Sequence, residues 1–113
     1  MIEELLTEYL SDYLSAPIFV SIPKDYPSSF LVIDKTGGAQ VNHIKSATVA
    51  IQSYSKTSKL EAAQLNEDVK KAMLYDIPAE SEIASIRLNS DYDFTDVTSK
   101  LYRYQAVFDI KFY

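Results

Sequence analysis

The closing stretch of the chain constrains the fold more than any other. Tyr102, Tyr104, Ala106, Phe108, Ile110 and Phe112 alternate with Arg103, Gln105, Val107, Asp109 and Lys111. Alternation with a period of two is the mark of a β-strand, whose successive side chains point to opposite faces. A strand of this length, at roughly 3.3 Å per residue, spans about 35 Å, which is long for a small domain, and the sequence predicts that it runs past its neighbours. Such a strand demands partners to pair its backbone and a second layer to cover one face.

The periodicity elsewhere supplies both. Ile2, Leu5, Leu6, Tyr9, Leu10 and Tyr13 recur at helical spacing, with Glu3 and Glu4 at the positive end of the dipole and Pro17 beyond the carboxyl end, so a first helix is expected before residue 17. Ile18, Phe19, Val20 and Ile22 read as a short strand, broken by Pro23 and Pro27. Phe30 to Asp34 reads as another, and Gly37 and Gly38, the only glycines, predict a turn with positive φ that connects it to a long strand from about Val41. In that strand Ala47, Val49 and Ile51 face one way, and Ser46, Thr48, Ala50 and Gln52 the other. Ser58 followed by Glu61 has capping-box spacing and opens a second helix. Its apolar stripe is Ala62, Leu65, Val69, Ala72 and Met73, its solvated side Glu61, Asn66, Glu67, Lys70 and Lys71, and its end falls near Tyr75, before Pro78. Ala84, Ile86 and Leu88 alternate with Ser85, Arg87 and Asn89 as one more strand. The expected fold is α+β: a single domain, residues 1–113, with a mainly antiparallel sheet of about five strands and two helices packed on one face.

Composition removes several classes of function. The 113 residues fit one hydrophobic core, and 47% hydrophobic against 24% charged residues is the mixture of a folded protein. Sixteen acidic and eleven basic side chains leave a net charge of −5, the wrong sign for a protein that grips nucleic acid through its phosphates. The absence of cysteine excludes disulfides, thiolate metal sites and thiol nucleophiles. The amino-terminal segment is acidic and amphipathic rather than basic and apolar, unlike a secretory signal, and no apolar run approaches the roughly 18 residues of a membrane span. A cytoplasmic protein is expected. Nine tyrosines and five phenylalanines without tryptophan suit a sheet surface or an interface.

Candidate chemistry is sparse. His43, the single histidine, has no nucleophile or carboxylate beside it in sequence. Asp91, Asp93 and Asp96 form a cluster that reads as a solvated acidic loop; it lacks the central glycine and closing glutamate of a calcium-binding loop. Lys35, Thr36, Gly37 and Gly38 precede a strand, not the helix that a phosphate-binding loop requires. No catalytic, metal or cofactor-binding residue is assigned, and no cofactor is expected.

The order of the motifs resembles a known family. A helix, then Pro17 with a short strand, then a strand ending in Lys35–Thr36–Gly37–Gly38 is similar to the start of tail-terminator proteins of long-tailed bacteriophages and prophages, also called tail-completion or minor tail proteins. Ala47–Thr48–Val49–Ala50–Ile51–Gln52–Ser53–Tyr54 resembles the family's long strand, Lys59–Leu60–Glu61–Ala62–Ala63 its helix start, and Arg103–Tyr104–Gln105–Ala106–Val107–Phe108–Asp109–Ile110 its closing strand. Nearly the whole chain is covered by short patterns. Where the family often carries a tryptophan near the end of the long strand, this chain has Tyr54.

The resemblance implies a structural virion assembly protein rather than an enzyme, one that caps the tail tube as a ring, commonly six-fold, and offers a surface to the head. The implied partners are copies of itself, the tail-tube protein and a head-completion or connector protein. DNA would pass through the ring without specific binding, and no membrane is involved. The implied location is the host cytoplasm during assembly and then the virion tail. A ring needs head-to-tail contact between two different patches of each subunit. The final strand with an exposed edge, anchored by Tyr102, Tyr104 and Tyr113, is the candidate self-association interface. Lys24, Asp25 and Tyr26, with Asp91, Asp93 and Asp96, are candidate assembly loops. The alternatives are another head-to-tail joining or minor tail component, a cellular protein-interaction module, and a small metal-dependent enzyme built on the three aspartates.

Overall fold

Two acids in its first turn and a proline four residues past its end bound the first helix, α1, at Ile2–Tyr13. The computed structural model describes residues 2–25, 27–41, 44–80, 82–93 and 101–113. After α1 come β1 (Ile18–Phe19), β2 (Ser29–Val41), β3 (Ile44–Ser55), α2 (Lys59–Lys71), β4 (Ile83–Asp93) and β5 (Tyr102–Phe112). The five strands form one sheet in the order β1-β2-β3-β5-β4, antiparallel throughout except for β1, which runs parallel to β2 through Ile18 and Phe19. The fold is α+β, as expected from the sequence.

The start of α2 is fixed by a small hydroxyl cluster. The Ser58 hydroxyl accepts the Glu61 amide at 3.0 Å, one half of a capping box. The other half is diverted: the Ser55 hydroxyl accepts the Ser58 amide at 3.3 Å and donates to the Glu61 carboxylate at 2.9 Å. The far end also departs from the expected stop near Tyr75. Helical hydrogen bonding widens into a π-type turn over Ala72–Asp76, where the Ile77 amide reaches back to Ala72, and a 3-10 turn over Ile77–Ala79 then accommodates Pro78.

Register assigns the faces. Cross-strand partners such as Ile51 and Ala106, Val49 and Phe108, and Ala47 and Ile110 share one face. They bury against Ile2, Leu6, Tyr9 and Leu10 of α1 and Val69, Met73 and Ile77 of the second helical segment. The opposite face is wet only in part. At its Ser55 end Phe30, Val32, Tyr54 and Leu101 form a second buried cluster. Phe30 stacks on its cross-strand partner Tyr54 with centroids 4.7 Å apart and planes within 4°, and Phe19 meets Phe30 edge-on at 6.0 Å.

Three expectations are corrected. Gly37 and Gly38 lie inside β2, not at a turn, and neither takes a positive φ; the pair sits where the register slips between Lys35 and Gly37, a β-bulge. The Gly38 position is one where a side chain would crowd, because a Cβ there would stand 3.0 Å from the Lys35 side chain and 3.2 Å from the Ser46 carbonyl. Second, β5 does not run past its neighbours. It lies between β3 and β4 and is paired on both sides along nearly its whole length, so it has no exposed edge. Third, β4 extends to Asp93, past two bulges, which turns Asp91 and Asp93 from loop into strand.

Candidate functional site

The residues singled out from sequence do not form one site. Tyr102 and Tyr104 lie opposite Ser55 and Ser53 on the helix-covered face, each half-buried. Tyr113 is exposed at the other end of the sheet, its amide bonded to the Glu82 carbonyl at 3.0 Å. Nine strand residues at roughly 3.3 Å separate it from Tyr104 by about 30 Å, so the three rings do not form one cluster. Lys24 and Asp25 are exposed after β1. Tyr26, His43 and Asp96 lie outside the described residues.

Asp91 and Asp93 are brought to α2, where their carboxylates are used. The register change between Leu88 and Ser90 places Asp91 opposite Ala106 and Asp93 opposite Tyr104, on the helix side. Asp91 accepts from the Asn66 amide nitrogen at 2.8 Å and from Lys70 Nζ at 2.5 Å, while Lys70 also reaches Glu67 at 2.7 Å. Asp93 pairs with Lys59 at 2.7 Å. Hydrogen bonds from these lysines to Asp91 and Asp93 hold both ammonium groups above the usual lysine range. Three clamps therefore tie α2 to β4, and the aspartates act as structural acceptors. Among the described residues no three His, Asp or Glu side chains converge to hold a metal ion.

Asn66 reads from the sequence as part of the solvated side of α2, yet it is buried. The signal was available: it falls four residues after Ala62 and three before Val69, inside the apolar stripe. Its carbonyl oxygen and the nearby-layer Ser53 hydroxyl are buried without a hydrogen-bond partner.

The uncovered face carries a polar chain that the sequence did not announce. Arg103 donates to the Tyr54 hydroxyl at 3.3 Å and lies 5.7 Å from its ring; that hydroxyl donates to Gln52 at 2.7 Å. Gln52 donates to Gln105 at 2.9 Å, and Gln105 donates to the Tyr92 hydroxyl. Further along, Asp109 accepts from Thr48 and Asn89, both at 3.0 Å, and these bonds lower its pKa below the ordinary aspartate value. Apart from the Tyr54–Gln52 bond within β3, each link joins neighbouring strands, so the chain braces the sheet transversely. Such side chains are neutral or mutually engaged and offer no nucleophile paired with a base.

One concavity stands out. A groove of about 1170 Å³ lies between the carboxyl end of α1, the segment entering β2 and the length of α2. Its walls are apolar at Tyr13, Leu14, Pro17 and Leu65, and its charges are Glu61, Asp68 and Asp76 against Lys71. Leu60, on its rim, is 79% exposed.

No family model and no curated protein matches the chain. What it does is read from its own residues and surfaces. Among the described residues no helix is long and apolar enough to cross a membrane.

Proposed function

We propose that the chain is a virion assembly protein of the tail-terminator kind, closing the end of a phage or prophage tail tube as a ring and joining it to head-completion proteins. The observation that carries this reading is the order of motifs, which resembles that family over nearly the whole chain. That order folds into an α+β domain with a five-stranded sheet and helices on one face. The surface chemistry is compatible with work done by contact: engaged aspartates, a transverse hydrogen-bonded brace and an apolar, acidic groove. A net charge of −5 per copy, multiplied around a ring, would let DNA slide through without adhering.

The test is direct. The full chain is mixed with tail tubes assembled from the major tail protein encoded beside it, and complexes are followed by sedimentation and negative-stain imaging. Capped tube ends with ring-shaped density are expected. A chain that leaves tube ends bare at any concentration, or whose gene lies far from any head-completion and tail-tube genes, overturns the reading.

A further inference from the structure

The two ends of this elongated molecule differ in charge and in shape. At one end the groove described above is lined by Ser28, Ser29 and Ser58, and it runs along α2 to Asp76. Its acids outnumber its single lysine by three to one, and the acidic field reaches the Tyr13 phenol, whose pKa is raised by partial desolvation and then by Glu80, Asp76 and Asp12. The other end is the far half of the β2–β3 hairpin. From Lys35 through Gln40, and again at Ile44 and Lys45, every residue is exposed. The sequence holds no acid between Asp34 and Glu61, so from Lys35 to Lys45 this half carries two lysines and no acid. Both lysines lie on the helix-bearing face: Lys35 is opposite Val49, and Lys45 is opposite Phe112, over whose ring its ammonium group sits at 5.9 Å.

The tip of the hairpin and the Ser29 end of the groove cannot meet within one chain. Twelve strand residues separate Ser29 from Val41, about 40 Å at roughly 3.3 Å each, close to the 45 Å long axis of the molecule. We propose that the basic outer half of the β2–β3 hairpin of one copy docks in the acidic apolar groove between α1 and α2 of a second copy. This deepens the self-association in the proposed function and rests on that reading. Because the two patches differ, the contact is heterologous and propagates into a ring or an open chain. Pairing by strand addition is disfavoured, since both free edges are bulged: β2, which is outermost beyond the two residues that β1 covers, between Lys35 and Gly37, and β4 between Ile83 and Ser85 and between Leu88 and Ser90.

Charge exchange tests the contact. One variant carries Gln64→Lys and Asp68→Lys, which reverses the sign of the groove; the other carries Lys35→Glu and Lys45→Glu. All four side chains are exposed, so both variants should retain the wild-type circular dichroism spectrum. Sedimentation velocity is run on wild type, on each variant alone and on their equimolar mixture. Each variant alone is expected to self-associate at least roughly tenfold more weakly than wild type, because like charges then face each other. The mixture is expected to recover to within about threefold, since each hairpin then meets a groove of opposite sign. Association of the single variants at wild-type strength, or a mixture that fails to recover, overturns the hairpin-in-groove contact while leaving the ring reading intact. A wild type that stays monomeric at the highest attainable concentration also overturns the contact, and the ring reading then stands or falls on the tube-capping experiment.

Discussion

Replacing Asp91 with alanine should cost far more than replacing Asp93, although the two acids are two residues apart and both pair with lysines of α2. Asp91 accepts from Asn66 at 2.8 Å, and Asn66 is only 2% exposed. Removing the carboxylate leaves a buried amide with neither its nitrogen nor its oxygen bonded, since the oxygen already lacks a partner. A charge-assisted bond to a buried donor is worth about 1.5–3 kcal/mol, and the stranded donor keeps its desolvation cost. Lys70 adds little to the loss, because Glu67 still holds it at 2.7 Å. Asp91→Ala should therefore destabilise by about 2.5 kcal/mol, lowering Tm by about 10 °C for a domain of this size. Asp93 pairs with a Lys59 side chain that is 58% exposed, so Asp93→Ala should cost about 0–1 kcal/mol. Urea unfolding of both variants, and of Asn66→Ala with and without Asp91→Ala, measures the difference. In the cycle the second substitution should cost about 1–2 kcal/mol less once the first is made. Equal losses for Asp91→Ala and Asp93→Ala, or simple additivity with Asn66→Ala, would refute the buried clamp.

Three further outcomes are expected. Gly37→Ala should raise stability by about 0.4–1 kcal/mol, because nothing lies within 4 Å of the added Cβ and the unfolded chain loses freedom, whereas Gly38→Val should lower it by about 1–2 kcal/mol through contact with Lys35 and the Ser46 carbonyl; thermal melts of the pair decide the sign at each site. Val107→Pro should abolish cooperative unfolding, since Val107 pairs with Ala50 on one side and Ser90 on the other and a central strand has no tolerance for a missing donor; a sharp wild-type melt would contradict the strand order. The Tyr9 phenol, hydrogen-bonded to Glu82 and facing its charge, should titrate near about 12 rather than the ordinary 10.0. Its folded pKa exceeds the unfolded value, so its stabilisation is complete below pH 10 and is lost as pH rises through 10 towards 12; ultraviolet titration should show that late phenol vanish in Tyr9→Phe, together with part of the alkaline fall in stability.

The parts of the fold legible in the sequence were those with an unbroken period. The closing strand runs from Tyr102 to Phe112, where the alternation placed it, and α1 ends at Tyr13, ahead of Pro17. Misreadings cluster where a period breaks. Alternation through Gly37 and Gly38 is interrupted by a bulge, and glycine signals a turn more often than a strand irregularity. The same applies to β4, where the shift after Leu88 moves Asp91 to the helix side and makes an acidic run look like a solvated loop. Strand order was beyond reach. Nothing in the residues of β5 says whether its neighbours lie on one side or both, and the exposed edge expected of it does not exist because strand period fixes faces, not edges. The groove escaped for a similar reason: Tyr13, Leu14, Pro17, Leu60 and Asp68 come from separate segments, and only packing brings them together.

Element lengths also explain why the hairpin end is bare. A helix rises about 1.5 Å per residue and a strand about 3.3 Å. The 12 residues of α1 and 13 of α2 therefore cover about 18–20 Å, whereas the 13 residues of β2 reach about 43 Å. Helices and strands of equal residue count cannot cover one another, and the excess sheet must be covered by loops, made polar or occupied by another molecule. Here the excess falls on Lys35–Gln40 and on Ile44 and Lys45, all exposed. The sequence has made it basic, while the helical layer took the acids. Four acids and no base lie on α1, and five acids face three lysines from Lys59 to Glu80, so these helical segments hold six net negative charges. The remainder, seven acids and eight bases, is slightly positive. Within one copy the hairpin tip at Ile44 and Lys45 lies several times the roughly 10 Å screening length at 0.1 M salt away from the Ser29 end of the groove. In the docking proposed above, that basic tip would instead meet the acidic groove of a second copy.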